Sequence, residues 1–350
     1  MGIRRFEERK MRLTISHFAL KVASFLIVFI PAELGAQTQG GAPVLKIIHF
    51  NVGNGDSTLV VLEDGSPSNK ALLSVLIDGG NRSMAAKVVI PGIRAEGIQG
   101  LDSVIATHKD TDHMEGLYAV LDAIPMNAGG RVYGLDRKWA LTKEGDPLKP
   151  GIPLNINSKK DVAKSSKYEL EIECVAADGN VPERAWDLKT PELDENARSL
   201  AFLVTFGKFR YFIGGDLTGG GLSGWQASAD IESRVAKSVG PVTVLRINHH
   251  GSVTSSNSVF LGSLDPSVAI ISAGPDPRTA SLFKWPSETV LARLTRSQQL
   301  KAIYVTGVVD ATNLSDTDKK RLHDGKGNIT ISTTGEDSFK VNEDSYPLPK

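Results

Sequence analysis

A single cysteine, Cys174, stands in 350 residues, so no disulfide can close within the chain. Charge of one sign is equally lacking: 40 Lys+Arg face 40 Asp+Glu. Six of those basic and three of those acidic residues lie in 1–36; without them 34 meet 37, a net charge of −3 with His neutral. A protein that grips polynucleotide non-specifically carries a clear basic excess. The overall balance argues against that class, and only a local patch would escape it. Long apolar runs are scarce too. The longest, Val22 to Ile30, is about half the ~20 residues that a membrane-spanning helix needs. No sequence repeat of short period is visible.

What is present begins with an N-terminal segment of three parts. Arg4, Arg5, Arg9, Lys10 and Arg12 form a basic stretch, Val22 to Ile30 an apolar one, and Leu34-Gly35-Ala36 follows Pro31. This is the layout of a secretory signal peptide. It predicts removal of residues 1–36, a secreted or periplasmic protein, and no membrane span thereafter; an anchor that stays attached is the alternative. Residues 37–43 read as a linker, 44–340 as one domain, and 341–350 as a polar tail that frays.

The domain opens with runs that predict antiparallel strands: Leu45–Val52, Ser57–Glu63 and Ala71–Ile77, separated by Gly- and Asp-containing turns. Ser83–Glu96 predicts a helix interrupted by Pro91. Leu101–Ala106 predicts a buried strand, and Met114–Ile124 a helix with Leu117, Leu121 and Ile124 on one face. Farther on, Arg131–Tyr133 and Tyr168–Val175 predict strands, and the polar stretch Ala176–Asn196 a long loop that either shapes access to a site or merely connects. Ser199–Phe206 and Phe209–Ile213 predict a hairpin. Strand and helix then alternate to Ser332.

Between the fourth strand and its helix lies Thr107-His108-Lys109-Asp110-Thr111-Asp112-His113-Met114-Glu115-Gly116. Two imidazoles and two carboxylates fall within six residues, on a strand-to-helix turn of the kind where open α/β sheets gather ligands. These N and O donors suit zinc, manganese or iron, and no thiolate is offered. A capped helix start plus a surface histidine would account for Asp112 alone. Three further strand exits carry donors: Asp78-Gly79-Gly80, Gly214-Gly215-Asp216 and Asn248-His249-His250-Gly251-Ser252.

The segment 107–116 resembles the metallo-β-lactamase superfamily signature T-H-x-H-x-D-H-x-G-G, with Asp110 where most members have His and Glu115 where most have Gly. That variant is similar to the metallo-hydrolase domain of ComEC-type competence proteins. Phe50–Ser57, Leu76–Gly80, Glu195–Leu200 with Gly214–Asp216, and Leu245–Ser252 resemble further motifs of the same branch, in the same order. The resemblance implies a four-layer αβ/βα sandwich with a metal centre between two sheet edges. It implies one or two divalent ions, zinc or manganese. By this resemblance His108 and Asp110 would hold a first ion; Asp112 and His113 a second, with one histidine of the 249–250 pair, His249 being taken as the ligand. Asp216 would bridge, and Asp78 would orient the ligand loop. Two departures stand out. No histidine lies between His113 and Asp216, which leaves the first position one ligand short, and Trp285 stands where the family often has a histidine.

Two divalent ions lower the pKa of a shared water and stabilise charge developing on an attacked oxygen. On that chemistry Asp112 would steer the nucleophile and His250 protonate the leaving group, with Ser252 fixing the turn or touching substrate. The resulting expectation is a secreted metallo-hydrolase of phosphodiesters, small-molecule or nucleic-acid, with no stable protein partner implied. A hydrolase of amides or esters, lactams included, and a non-catalytic binding protein on a degraded scaffold are the alternatives.

Overall fold

The computed structural model describes residues 41–134, 152–153, 167–182, 193–223, 226–274, 285–325 and 327–350. The expected signal segment and part of the long polar loop lie outside them. The first strands are β1 (Val44–His49), β2 (Thr58–Glu63) and β3 (Ala71–Ile77), an antiparallel meander. Leu45, Ile47, Val60, Leu62, Val75 and Ile77 point to one face of their sheet, and Ile48, Leu59, Val61 and Leu76 to the other. Both faces are covered, so these strands read as nearly continuous apolar runs rather than as an alternation.

A helical segment follows: α1 (Arg82–Met84), a π turn (Ala85–Val89) and α2 (Ile90–Ala95). The interruption expected at Pro91 does not occur. Just before the proline, Ile90 N–H bonds to Ala85 O, five residues back. The widened turn makes room for the pyrrolidine ring and redistributes the acceptors the proline cannot use. Next come β4 (Leu101–Ile105), parallel to β3, then α3 (Thr111–Ala123) and β5 (Met126–Tyr133). The strand expected at 131–133 starts five residues earlier, at Met126.

The second sheet begins with β6 (Ile152–Pro153), β7 (Leu170–Ala176) and the hairpin β8 (Ala201–Phe206) and β9 (Phe209–Ile213). A small ribbon, β10 (Leu222–Ser223) with β11 (Gln226–Ala227), precedes α4 (Glu232–Val239). Parallel pairing then carries the sheet through β12 (Val244–Arg246), α5 (Ser258–Leu264), β13 (Val268–Ile271), α6 (Glu288–Thr295), β14 (Ala302–Val305), α7 (Asp316–Lys319) and β15 (Leu322–Asp324). The chain returns to the first sheet with β16 (Ile329–Thr333), β17 (Ser338–Val341) and β18 (Asp344–Pro347).

Residues 341–350 are therefore not a frayed tail. Phe339 faces Tyr346 across the β17–β18 ladder with ring centroids 5.3 Å apart, and Leu348 is buried. Two aromatic side chains on the inner face supply the burial that the polar composition hides.

Among the described residues the two large sheets have eight strands each: β18-β17-β16-β1-β2-β3-β4-β5 and β15-β14-β13-β12-β9-β8-β7-β6. One apolar cluster joins residues of both sheets, including Val60, Val75, Phe202 and Tyr211. A second packs one sheet on α4, α5 and α6, and a third packs the other on α2 and α3. Helix, sheet, sheet, helix is the expected four-layer αβ/βα sandwich. Its parallel strands β3, β4, β9, β12 and β13 all deliver loops toward the same edge, the edge where ligands collect in such folds.

Candidate metal centre

The site starts from a tight crossing. Gly116 in α3 donates its N–H to Gly80 O at 2.7 Å, and Gly79 N–H bonds to His113 O at 2.8 Å. A Cβ on Gly116 would lie 2.0 Å from Gly79 O, so only glycine lets the helix meet the turn after β3. Glu115, the departure beside it, is exposed and takes no part in the crossing.

That crossing places Asp78 beneath the cluster. Its Oδ1 accepts from Thr107 N–H at 2.8 Å, and its Oδ2 accepts from the Thr107 hydroxyl at 2.7 Å and lies 2.8 Å from His113 Nδ1. A carboxylate only accepts, so His113 carries its proton on Nδ1 and turns an Nε2 lone pair into the site. Asp78 is thus bonded to both Thr107 and His113, within the segment it was expected to orient. The same logic fixes two more rings. The Thr107 hydroxyl, already donating to Asp78, accepts from His108 Nδ1 at 3.1 Å. Ser272 O accepts from His250 Nδ1 at 2.8 Å. In their neutral forms His108, His113 and His250 all present bare Nε2 atoms.

These nitrogens converge on Asp216. Its Oδ1 lies 3.2 Å from His113 Nε2; its Oδ2 lies 3.4 Å from His250 Nε2, 3.7 Å from His249 Nε2 and 3.9 Å from His108 Nε2. His113 Nε2 and His250 Nε2 stand 3.2 Å apart. Two facing lone pairs at that distance repel unless they share a cation. Asp112 Oδ2 adds an acceptor 3.5 Å from His250 Nε2, and Asp110 Oδ2 one 3.6 Å from His108 Nε2. His108 Nε2 and Asp216 Oδ1 are buried without a hydrogen-bond partner. Imidazole and carboxylate donors, two of them orphaned, fit a divalent ion. The groups His108–His113–Asp216 and Asp112–His113–His250 each bring their ligand atoms within 4.8 Å of one another.

The electrostatics agree. Burial alone would depress His250 and His113, but carboxylates overturn it. Asp216 and Asp112 raise His250 to about 9, and Asp216 and Asp78 raise His113. Asp216 is held well below the usual carboxylate range despite its burial, by His113, His250 and His249; Asp112 is lowered against its own burial by His250 and His113. His249 goes the other way, lowered first by burial. The cluster calls for positive charge at its centre.

The two histidines of the pair are placed unlike each other. His249 was taken as the ligand and His250 as the free histidine. Here His250 is buried in the centre of the cluster, while the His249 ring is partly exposed and reaches only one oxygen of Asp216. Consecutive left-handed residues, His249 at φ 50° and His250 at φ 53°, swing the two rings apart. Strand or helix periodicity says nothing about such a turn, so sequence could not choose between them. Ser252 is buried; its Oγ lies 3.2 Å from Thr254 Oγ1, which is 3.4 Å from His249 Nδ1. Trp285 puts its ring centroid 5.7 Å from that of His250 and 6.2 Å from that of His249.

Supporting residues escaped the sequence reading. Ser199 Oγ accepts from Asp216 N–H at 3.1 Å. Glu232, wholly buried in α4, takes Asn248 Nδ2 at 2.8 Å and Ser256 N–H at 2.7 Å, and so anchors the His-His turn. Arg246, wholly buried, pairs with Asp56. A charge inside the apolar run Val244-Leu245-Arg246-Ile247 was the available signal for the last pair. Glu232 gave none, since it sits on an amphipathic helix like any surface acid.

Residues 52–274 match the family model for the Metallo-beta-lactamase superfamily. The chain belongs to that superfamily. Its members normally bind divalent metals, as the clusters above are suited to do. Among curated relatives, Recombination protein 2 of Haemophilus influenzae is 28% identical over 281 residues, covering 78% of this chain and 29% of that protein. Competence protein ComA of Neisseria gonorrhoeae is 25% identical over 284 residues, 79% of this chain and 35% of the relative. ComE operon protein 3 of Bacillus subtilis is 26% identical over 272 residues, 71% and 30%. The chain thus spans about a third of the length of the relatives it matches. A solved structure described as a new diphosphatase from the PhnP family aligns over 83% of this chain and 98% of its own, at 14% identity and a TM-score of 0.40. The family model shows the expected superfamily, and competence proteins are among the relatives this chain resembles.

Proposed function

We propose that this protein is a metal-dependent hydrolase of phosphodiesters, acting outside the cytoplasm, with nucleic acid or a small phosphodiester as substrate. The observation that carries the reading is the donor set around Asp216. His108 and Asp110 would hold one ion, Asp112, His113 and His250 a second, with Asp216 within reach of both groups. The outer position has an oxygen donor, Asp110, where most of the superfamily has a nitrogen. Harder donors suit ions that bind and polarise phosphoryl oxygens. A divalent ion there lowers the pKa of bound water and neutralises charge on the attacked group.

The chain's own residues divide the remaining work. Asp112, partly open to solvent, accepts the proton of the attacking water and aims it. His249, the one histidine of the cluster that reaches solvent, delivers a proton to the leaving oxygen from its charged form, which its lowered pKa makes the minor form at neutral pH. This exchanges the roles first expected of His249 and His250. Trp285 lines the same side with an apolar face. The relatives named for recombination and competence support a nucleic-acid-related substrate. Support for export comes from the three-part segment 1–36; among the described residues no helix is long and apolar enough to cross a membrane.

The test is direct. Protein reconstituted with zinc or manganese is assayed on an aryl phosphodiester, single-stranded DNA and a chromogenic lactam, beside Asp216→Ala. Cleavage of a phosphodiester that disappears in the variant is expected. Lactam turnover alone would refute the substrate class, and failure to bind either metal would remove the enzyme reading.

A further inference from the structure

Behind the cluster lies a buried charge pair that the chemistry above does not use. Arg246 is the last residue of β12 and has no solvent exposure; Asp56, in the loop after β1, has none either. Arg246 Nη2 meets Asp56 Oδ2, and Arg246 Nη1 donates to Gly215 O. The same Nη1 lies 3.9 Å from Asp216 Oδ1. Gly215 O also accepts from His249 N–H at 3.1 Å. One guanidinium therefore fastens the peptide before Asp216 and, through it, the His-His turn.

Asp56 is tied to the other half of the site. Its N–H bonds to Asp112 O at 3.1 Å, and its carbonyl accepts from Gly80 N–H at 2.7 Å. Gly80 in turn holds α3 at Gly116. So the backbone of Asp56 grips the Asp78 turn and the first turn of α3, while its carboxylate grips the arginine that grips Asp216. Burying two charges is expensive and seldom stabilises more than an apolar pair of like volume would. A pair kept in so costly a place, bonded to the loops of both sheets, has a geometric use.

We infer that Asp56 and Arg246 are positioning residues that set the distance between the Asp112–His113 half and the Asp216–His250 half of the metal site. Arginine suits the task because its planar fork reaches Gly215 O and a carboxylate at once, which the point charge of lysine cannot. Their assigned role is indirect: they act through Asp216 and Asp112. The inference rests on the proposed metal site, and the experiment separates the two.

Metal-free wild type is titrated with Co2+, and the visible absorption of the ion reports affinity and ligand geometry without any substrate. The neutral double variant Asp56→Asn/Arg246→Gln and the single variant Arg246→Lys are titrated alongside, with urea unfolding as the measure of fold. The expected result is that folded variants bind Co2+ about 10–100-fold more weakly, with shifted absorption bands, as for loss of groups that orient ligands. Wild-type affinity and bands in a folded variant would overturn the inference. If the double variant does not fold, Arg246→Lys, which keeps the charge pair, decides by the same criteria. A wild type that takes no Co2+ would instead bring down the metal site itself.

Discussion

His113 and His108 lie in one segment, five residues apart, yet they sit in unlike surroundings. His113 is braced by the Asp78 carboxylate and faces His250, itself braced by Ser272 O, with Asp216 3.2 Å away. All of these are buried. His108 is braced only by a threonine hydroxyl, and its partners are Asp216 at 3.9 Å and Asp110, about half exposed at 48%. The inner position is pre-organised by carboxylate and carbonyl acceptors that fix each ring. The outer one depends on a side chain that keeps rotamer freedom in water. Pre-organisation lowers the entropy lost on binding, so the inner position is expected to hold an ion more firmly than the outer one.

The broadest break in this comparison comes from Asp216→Ala, which takes a donor from both positions. Phosphodiesterase activity is expected to fall by at least about 10³-fold, the upper end of what removal of one electrostatic group from an active site costs. Bound metal, measured by elemental analysis, should fall with it, while the far-ultraviolet circular dichroism stays native. Asp78→Asn strikes the inner position directly and the outer one only through Thr107. The amide cannot take both the Thr107 and the His113 protons, so the ring loses its fixed tautomer. Metal affinity is expected to drop by about 10–100-fold, and a chelator competition assay measures it.

Glu232→Gln gives the smallest effect and tests the support of the His-His turn. Burial raises Glu232 to about 7, against the donors Asn257, Asn248 and Ser256, which lower it. The folded-state value lies above the ordinary 4.5. The native protein then binds the extra proton, and this stability is present at low pH and lost as pH rises through about 7. Wild type should therefore lose more stability than the glutamine variant between about pH 5 and pH 8, by on the order of 1–3 kcal/mol. Urea unfolding of the two proteins across that range reads the difference.

Much of this was legible in the sequence. Continuous apolar runs ending in Asp or His marked strands buried on both faces with ligands at their exits, and β3, β4, β9 and β12 follow that rule. The paired residues His108, Asp110, Asp112 and His113 read as one turn, and the structure brings them together with Asp216. What stayed hidden depended on tertiary contact or on unusual backbone. The π turn before Pro91 follows no periodicity. The β17–β18 hairpin is held by two rings among polar neighbours. The choice between His249 and His250 rests on consecutive positive φ angles, and the use of Asp56 and Glu232 on partners far along the chain.

The claim that matters most is that the inner position, built on His113, His250 and Asp216, is the firmer one. Calorimetric titration of metal-free protein with Zn2+, comparing wild type with His250→Ala and Asp110→Ala, tests it most directly. The tight binding phase should vanish in His250→Ala and survive in Asp110→Ala, which loses only a weaker phase. Tight binding that survives in His250→Ala and vanishes in Asp110→Ala would contradict the account.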